Sequence, residues 1–198
     1  MRECCEIRVD VPARQRRLLW VVLGINAVMF VVELVAGIGA RSTALLADSV
    51  DMLGDAVAYG FSLYAVGRGT AWQARAARLK GLIMAAFGVG VLAQVVTKLL
   101  HGLQPDAQTM GVVGSLALVA NVACLVMLWR RRGDDVNMRS AWLCSLNDVA
   151  SNAGVIVAGA AVAVTASGWP DLLVGLVIAG IFCASATTII RSAAVRPA

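Results

Sequence analysis

The run LLWVVLGINAVMFVVELVAGI, residues 18–38, decides the class of fold. It contains one ionisable side chain, Glu33, and a helix needs about 20 mostly apolar residues to cross the hydrocarbon core of a bilayer. Arg14, Arg16 and Arg17 precede it, as in a secretory leader. The run is nevertheless longer than the ~7–15-residue apolar core of a cleaved signal, so it reads as a retained first helix. Five further apolar runs follow between polar breaks, near 43–66, 81–103, 109–129, 141–166 and 171–190. The expected fold is an all-α integral membrane protein, a bundle of six transmembrane helices. Residues 1–17 form an N-terminal tail, 18–191 the six-helix transmembrane domain and 192–198 a short C-terminal tail.

Composition agrees. Of the 198 residues 60% are hydrophobic and 15% charged, against roughly a quarter charged in soluble domains, and the mean hydropathy is +0.80. A net charge of +5 does not mark a nucleic-acid partner, because the basic residues fall in short clusters between apolar runs and read as topology signals. The N-terminus, residues 67–80, residues 130–140 and the C-terminal end with Arg191 and Arg196 hold 15 of the 17 Lys and Arg residues; only Arg41 and Lys98 lie on the other side. The positive-inside bias therefore places both termini in the cytoplasm, and the five tryptophans agree by lying near predicted helix ends. The five cysteines are odd in number, with Cys124, Cys144 and Cys183 inside apolar runs, so no disulfide framework is expected.

An Asp or Glu at bilayer depth costs about 2.5–3.5 kcal/mol on insertion scales and needs a partner, a cavity or a proton. Asp48, Asp51 and Asp55 fall at i, i+3 and i+7 in the second helix, on one face. Cys144 and Asp148 fall at i, i+4 in the fifth, with Asn147 and Asn152 nearby. Glu33 and Asp48 are expected near the bilayer surface, close to Arg41. Asp51 and Asp55 lie ~15–20 Å along the helix from Arg41, and no basic residue is placed to neutralise them. A bound cation or a transferable proton meets that cost. Asp51, Asp55, Cys144 and Asp148 make four ligand groups, the number a tetrahedral Zn²⁺ accepts from carboxylate oxygen and thiolate sulfur. A thiolate disfavours a hard ion such as Mg²⁺. Asp48, Asn147, Asn26 and Asn152 are candidates to surround the four. His101, beside Lys98 at the end of the third helix, reads as an interfacial side chain. Cys4, Cys5 and Glu6 form a compact group that could capture a soft metal, although adjacent thiols in a tail are often simply free.

The stretch STALLADSVDMLGD, residues 42–55, resembles the second-helix signature of the cation diffusion facilitator (cation efflux) family, and WLCSLNDVASNAGV, residues 142–155, resembles the fifth-helix element. Asn26, Glu33 and Gly37, and Trp169-Pro170-Asp171 opening the sixth helix, extend the resemblance over residues 17 to 191. It implies a transport site at Asp51, Asp55, Cys144 and Asp148, with Cys144 where the family usually has His or Asp. The family's cytoplasmic ferredoxin-like domain has no counterpart, so a short form is expected. The loop near Arg130, often His-rich in zinc exporters, has no histidine.

The expected function is export of a Zn²⁺-like ion (Zn, Co, Cd, Ni or Fe) from the cytoplasm across the inner membrane, with protons in exchange. The metal is cargo and no cofactor is expected. Divalent metal ions, protons and the lipid bilayer are the expected partners, with a second copy of the chain through the transmembrane helices and no nucleic acid. The alternative is a membrane metal-sensing or interaction subunit that binds the ion without moving it. No nucleophile and base pair supports an enzyme.

Overall fold

The computed structural model describes residues 13–64, 70–134 and 136–195. These form six helices: α1 (Ala13–Gly39), α2 (Thr43–Tyr64), α3 (Thr70–His101), α4 (Ala107–Trp129), α5 (Val136–Thr165) and α6 (Trp169–Val195). The number and order match expectation, and the described residues include no strand. The third helix differs most. It begins at Thr70, so Arg75, Arg78 and Lys80 belong to a helix and not to a connecting loop. A polar extension of a spanning helix beyond the bilayer carries no hydropathy signal, which is why the apolar run alone marked residue 81. The Cys4, Cys5 and Glu6 group lies outside the described residues.

The helices α1 and α4 each bury a narrow stripe and leave the rest outward, whereas the central α2 is buried or half-buried on nearly every side. In α4 the buried residues are Met110, Gly114, Ala117, Asn121, Cys124 and Leu128, a spacing of alternating three and four. Val112, Leu116, Val119 and Val126, between them, are exposed. In α1 the stripe runs Leu19, Val22, Asn26, Met29 and Glu33. Apolar residues cover the outside of these helices while Asn, Asp and Glu point inward, the distribution expected when lipid is the solvent. The segments Gln15–Gly39, Ala107–Trp129 and Ala141–Thr165 are long and apolar enough to cross a membrane, and Ala85–His101 and Trp169–Ala184 are shorter apolar helices. At 22 residues, α2 is ~33 Å long, enough for the hydrocarbon core. Its three aspartates are what lower its hydropathy. The protein is a membrane protein built as a helical bundle.

The helices pack as α1 on α2, α4 on α5 and α3 on α6, and α2 touches α1, α3, α5 and α6. The connections α1–α2, α3–α4 and α5–α6 meet at one end of the bundle. There Asp106 N donates to Ala40 O at 2.9 Å and Gln104 Nε2 donates to Ala166 O at 2.7 Å. The α1–α2 turn is tight: Arg41 takes φ 54, a left-handed conformation that costs a non-glycine residue roughly 1–2 kcal/mol. Ser42 N donating to Gly37 O at 2.9 Å offsets that cost. Asp106 caps α4, accepting from the backbone N–H of Gln108 and Thr109 and from the Thr109 hydroxyl. The hydroxyl is the main reason its carboxyl is held below the usual range, and the two N–H groups add to it.

At the same end a buried ion pair joins three helices. Lys98 Nζ of α3 lies 2.5 Å from Asp171 Oδ2 of α6, with both side chains almost fully buried. Asp171 also accepts from Ser42 Oγ at 2.6 Å, Thr43 N at 2.8 Å and Ala44 N at 3.1 Å. Its carboxylate therefore caps the N-terminus of α2, where a negative charge also complements the helix dipole. Gly175 lies directly beneath. A Cβ there would stand 2.8 Å from the Thr43 carbonyl carbon, so only glycine lets α6 approach the α2 backbone this closely. Sequence reading placed Lys98 at the interface beside His101. His101 is exposed, but Lys98 is buried, because it is the counter-ion that makes Asp171 tolerable in a dry interior.

Candidate metal-transport site

The stripe Asp48, Asp51, Asp55 continues one turn further to Tyr59, all on the inward face of α2. Asp48, Asp55 and Tyr59 are buried and Asp51 is half-buried. The Tyr59 hydroxyl donates to Asp55 Oδ2 at 3.0 Å and stands 3.3 Å from Ala141 O of α5, so it links the stripe to the facing helix. On α5, Cys144 and Asp148 face inward, 7% and 1% exposed. Cys144 packs in the same buried cluster as Tyr59, Leu63 and Cys124 and is in no disulfide. Asp148 feels the charges of Asp55, Asp51, Asp48 and Glu33, and Tyr59 those of Asp55, Cys144 and Asp148. The sequence-predicted groups thus meet between α2 and α5.

They meet without closing into a shell. Among the described residues no three His, Cys, Asp or Glu side chains stand where they could hold a metal ion. Asp148 Oδ2 is buried with no hydrogen-bond partner, an acceptor that a cation would satisfy. Carboxylate and thiol donors suit a transition-metal ion.

The sequence matches the family model described as the cation efflux transmembrane domain over residues 19–196. The chain belongs to the cation efflux family. Among curated proteins it is 24% identical over 181 residues to the metal cation efflux system protein CzcD of Cupriavidus metallidurans, covering 85% of this chain and 57% of that protein. It is 27% identical over 173 residues to the zinc transporter ZitB of Yersinia pseudotuberculosis, covering 81% of this chain and 54% of that protein. The chain spans a little over half the length of these relatives.

Around the four groups this cation efflux domain departs from expectation in two places. Glu33 is fully buried with neither carboxylate oxygen hydrogen-bonded, and so is Asp48, while Arg41 is exposed. The interfacial reading of these two carboxylates is therefore wrong: α1 and α2 run antiparallel from a tight turn, which carries Arg41 outward and faces Glu33 towards Asp48, whose charge it feels. Asn147 is exposed, because one residue before Asp148 is about 100° around the helix, so it does not line the site. Asn26 and Asn152 do face inward, both fully buried. Each donates its amide to the carbonyl four residues earlier, Asn26 to Val22 at 2.9 Å and Asn152 to Asp148 at 2.7 Å. Each keeps a buried Oδ1 without a partner, so both present acceptor oxygen to the interior.

Sequence reading missed Tyr59, although its position four residues after Asp55 extends the acidic stripe. Its ring fills space and its hydroxyl orients Asp55. Tyr59→Phe keeps the ring and is expected to raise the apparent KM for metal about tenfold, the ~1.4 kcal/mol of one hydrogen bond to a charged group at the low end of its range. An unchanged KM in flux measurements would count against an orienting role.

Proposed function

We propose that the chain moves a Zn²⁺-like divalent ion out of the cytoplasm in exchange for protons, at a site made by Asp51, Asp55, Cys144 and Asp148. The supporting observation is the convergence of two carboxylate-bearing helices, α2 and α5, on one buried region spanned by the Tyr59 hydroxyl. Membership of the cation efflux family points the same way, as do the names of the relatives. A four-group shell of three carboxylates and a thiolate more than balances the charge of a divalent ion, which leaves room for a proton to be held with it, and its thiolate discriminates against Mg²⁺, which favours oxygen and retains water. Exchange for protons follows from the donors themselves. Carboxylate and thiolate bind metal when deprotonated, so a proton delivered from the far side competes with the ion, releases it and resets the empty site. Alternate exposure of the site would come from rocking of helix pairs about it. The excess of Lys and Arg at the end bearing the termini orients that end to the cytoplasm of an inner membrane.

The purified chain in proteoliposomes with a trapped zinc dye and a trapped pH dye tests this reading. Inward metal flux with a simultaneous rise in lumenal pH is the expected result. Binding in detergent with no flux would favour the sensing or interaction subunit. Flux with no pH change would remove proton exchange.

A further inference from the structure

We propose that the Lys98–Asp171 pair is a pivot that stays closed throughout the transport cycle. It pins the first turn of α2 to the α3–α6 pair and thereby positions the aspartate stripe lower on α2. The inference rests on the transport reading above and adds two positioning residues to it.

Four observations carry it. Asp171 receives four donors at 3.1 Å or less, from α2 and α3 together. Both partners are buried, so water cannot replace either one if they part, and each would be left as an isolated charge in a dry interior. The Asp171 carboxylate makes its bonds to the backbone N–H groups of Thr43 and Ala44 and to the Ser42 hydroxyl, which itself accepts from Leu45 N at 3.1 Å. The contact therefore fixes the helix axis and not merely one side chain. Gly175 brings the backbone of α6 against Thr43 and Ala44 at the same point, leaving no side-chain layer that could slide. From this anchored turn, Asp48, Asp51 and Asp55 follow on a rigid helix, so the height and rotation of the stripe relative to α5 are set by the pair. An outer gate would need the opposite construction, contacts that water can take over cheaply. On this basis α2, α3 and α6 keep their junction, and the site changes access by movement at the other end of the bundle or by the α4–α5 pair.

A covalent replacement of the pair tests it. In a parent carrying Cys4→Ser, Cys5→Ser, Cys124→Ser and Cys183→Ser, with Cys144 retained, Ser42→Cys, Asp171→Cys and Lys98→Met are introduced together. The charges leave as a pair, and the new thiols replace groups now 2.6 Å apart. Zinc flux in proteoliposomes is measured after treatment with oxidised glutathione and again after reduction, with the 42–171 disulfide confirmed by peptide mapping. In the reduced form the KM for zinc is expected to rise at least tenfold over the parent. Oxidation is expected to return it to within threefold of the parent, at unchanged protein recovery. An oxidised form that is inactive would show that the junction has to open, and would overturn the pivot. A reduced form with the parent KM would show that the pair positions nothing, with the same consequence. Single variants guard against a misfolded triple: Lys98→Arg should keep the parent KM, whereas Lys98→Met should raise it. A purely structural role would lower recovery in both redox states without moving KM. Loss of flux in the parent itself would fall on the transport reading and not on the pivot.

Discussion

Asp55→Ala and Asp148→Ala are each expected to reduce zinc flux at least about 100-fold, a larger loss than the ~10–100-fold typical of residues that merely orient metal ligands. The two aspartates lie on different helices and both are buried, so either substitution removes one wall of the site and leaves the other carboxylate uncompensated by cargo. Asp51→Ala should act in the same direction. Insertion should survive, because taking a carboxylate out of a spanning helix removes a cost of about 2.5–3.5 kcal/mol. The variants are therefore expected in the membrane at normal yield, still as helical bundles, with metal-binding stoichiometry lost in detergent. The measurement is flux and equilibrium binding on the same preparations. Asp55→Ala transporting at the parent rate would eliminate the α2–α5 region as the site, leaving Glu33 and Asp48 as the only fully buried carboxylates on α1 and α2 able to hold the ion.

The spanning helices were legible because lipid imposes a one-sided rule: a run such as 18–38 has no use in a soluble core, and its length measures the bilayer. The acidic stripe was legible because helical spacing puts Asp48, Asp51 and Asp55 on one face whatever packs against it. Three things were not. The depth of Glu33 depends on where α1 turns, and Arg41, two residues beyond the helix, looked like a partner when the left-handed turn in fact swings it outward. The Lys98–Asp171 pair joins residues 73 positions apart, a contact fixed only by the packing of α3 on α6. A signal existed all the same. Lys98 was a lone cation within the apolar run 95–100, and Asp171 a lone anion in the first turn of α6. Two unmatched opposite charges in apolar surroundings at the same end of a bundle call for pairing. Tyr59 was hidden for another reason: an aromatic residue on a helix face reads as packing, and only the α5 carbonyl opposite makes its hydroxyl informative.

Cys144 separates the proposed ion selectivity from that of an all-oxygen or imidazole site. Its side chain is buried in the same cluster as Tyr59, four residues before Asp148 and on the same face of α5. Thiolate is a softer donor than carboxylate or imidazole, and a mixed oxygen and sulfur shell should favour Zn²⁺, Cd²⁺ and Co²⁺ over Mn²⁺ and Mg²⁺. Cys144→Ser keeps nearly the same volume and removes the soft donor, so packing is preserved while ligation is weakened. Cd²⁺ affinity is expected to fall at least about tenfold, a change of ~1.4 kcal/mol, and Zn²⁺ affinity to fall less, since zinc accepts oxygen donors readily. Cys144→His restores a strong borderline donor and should recover Zn²⁺ flux while leaving Cd²⁺ weaker than in the parent. Ion-by-ion titration and flux on parent, Cys144→Ser and Cys144→His decide the matter. If the serine variant keeps the parent order and affinity for every ion, the thiol only packs against Tyr59. The shell would then be completed by the buried Asn152 oxygen or by Asp48, both of which stand without hydrogen-bond partners on the inward faces of α5 and α2.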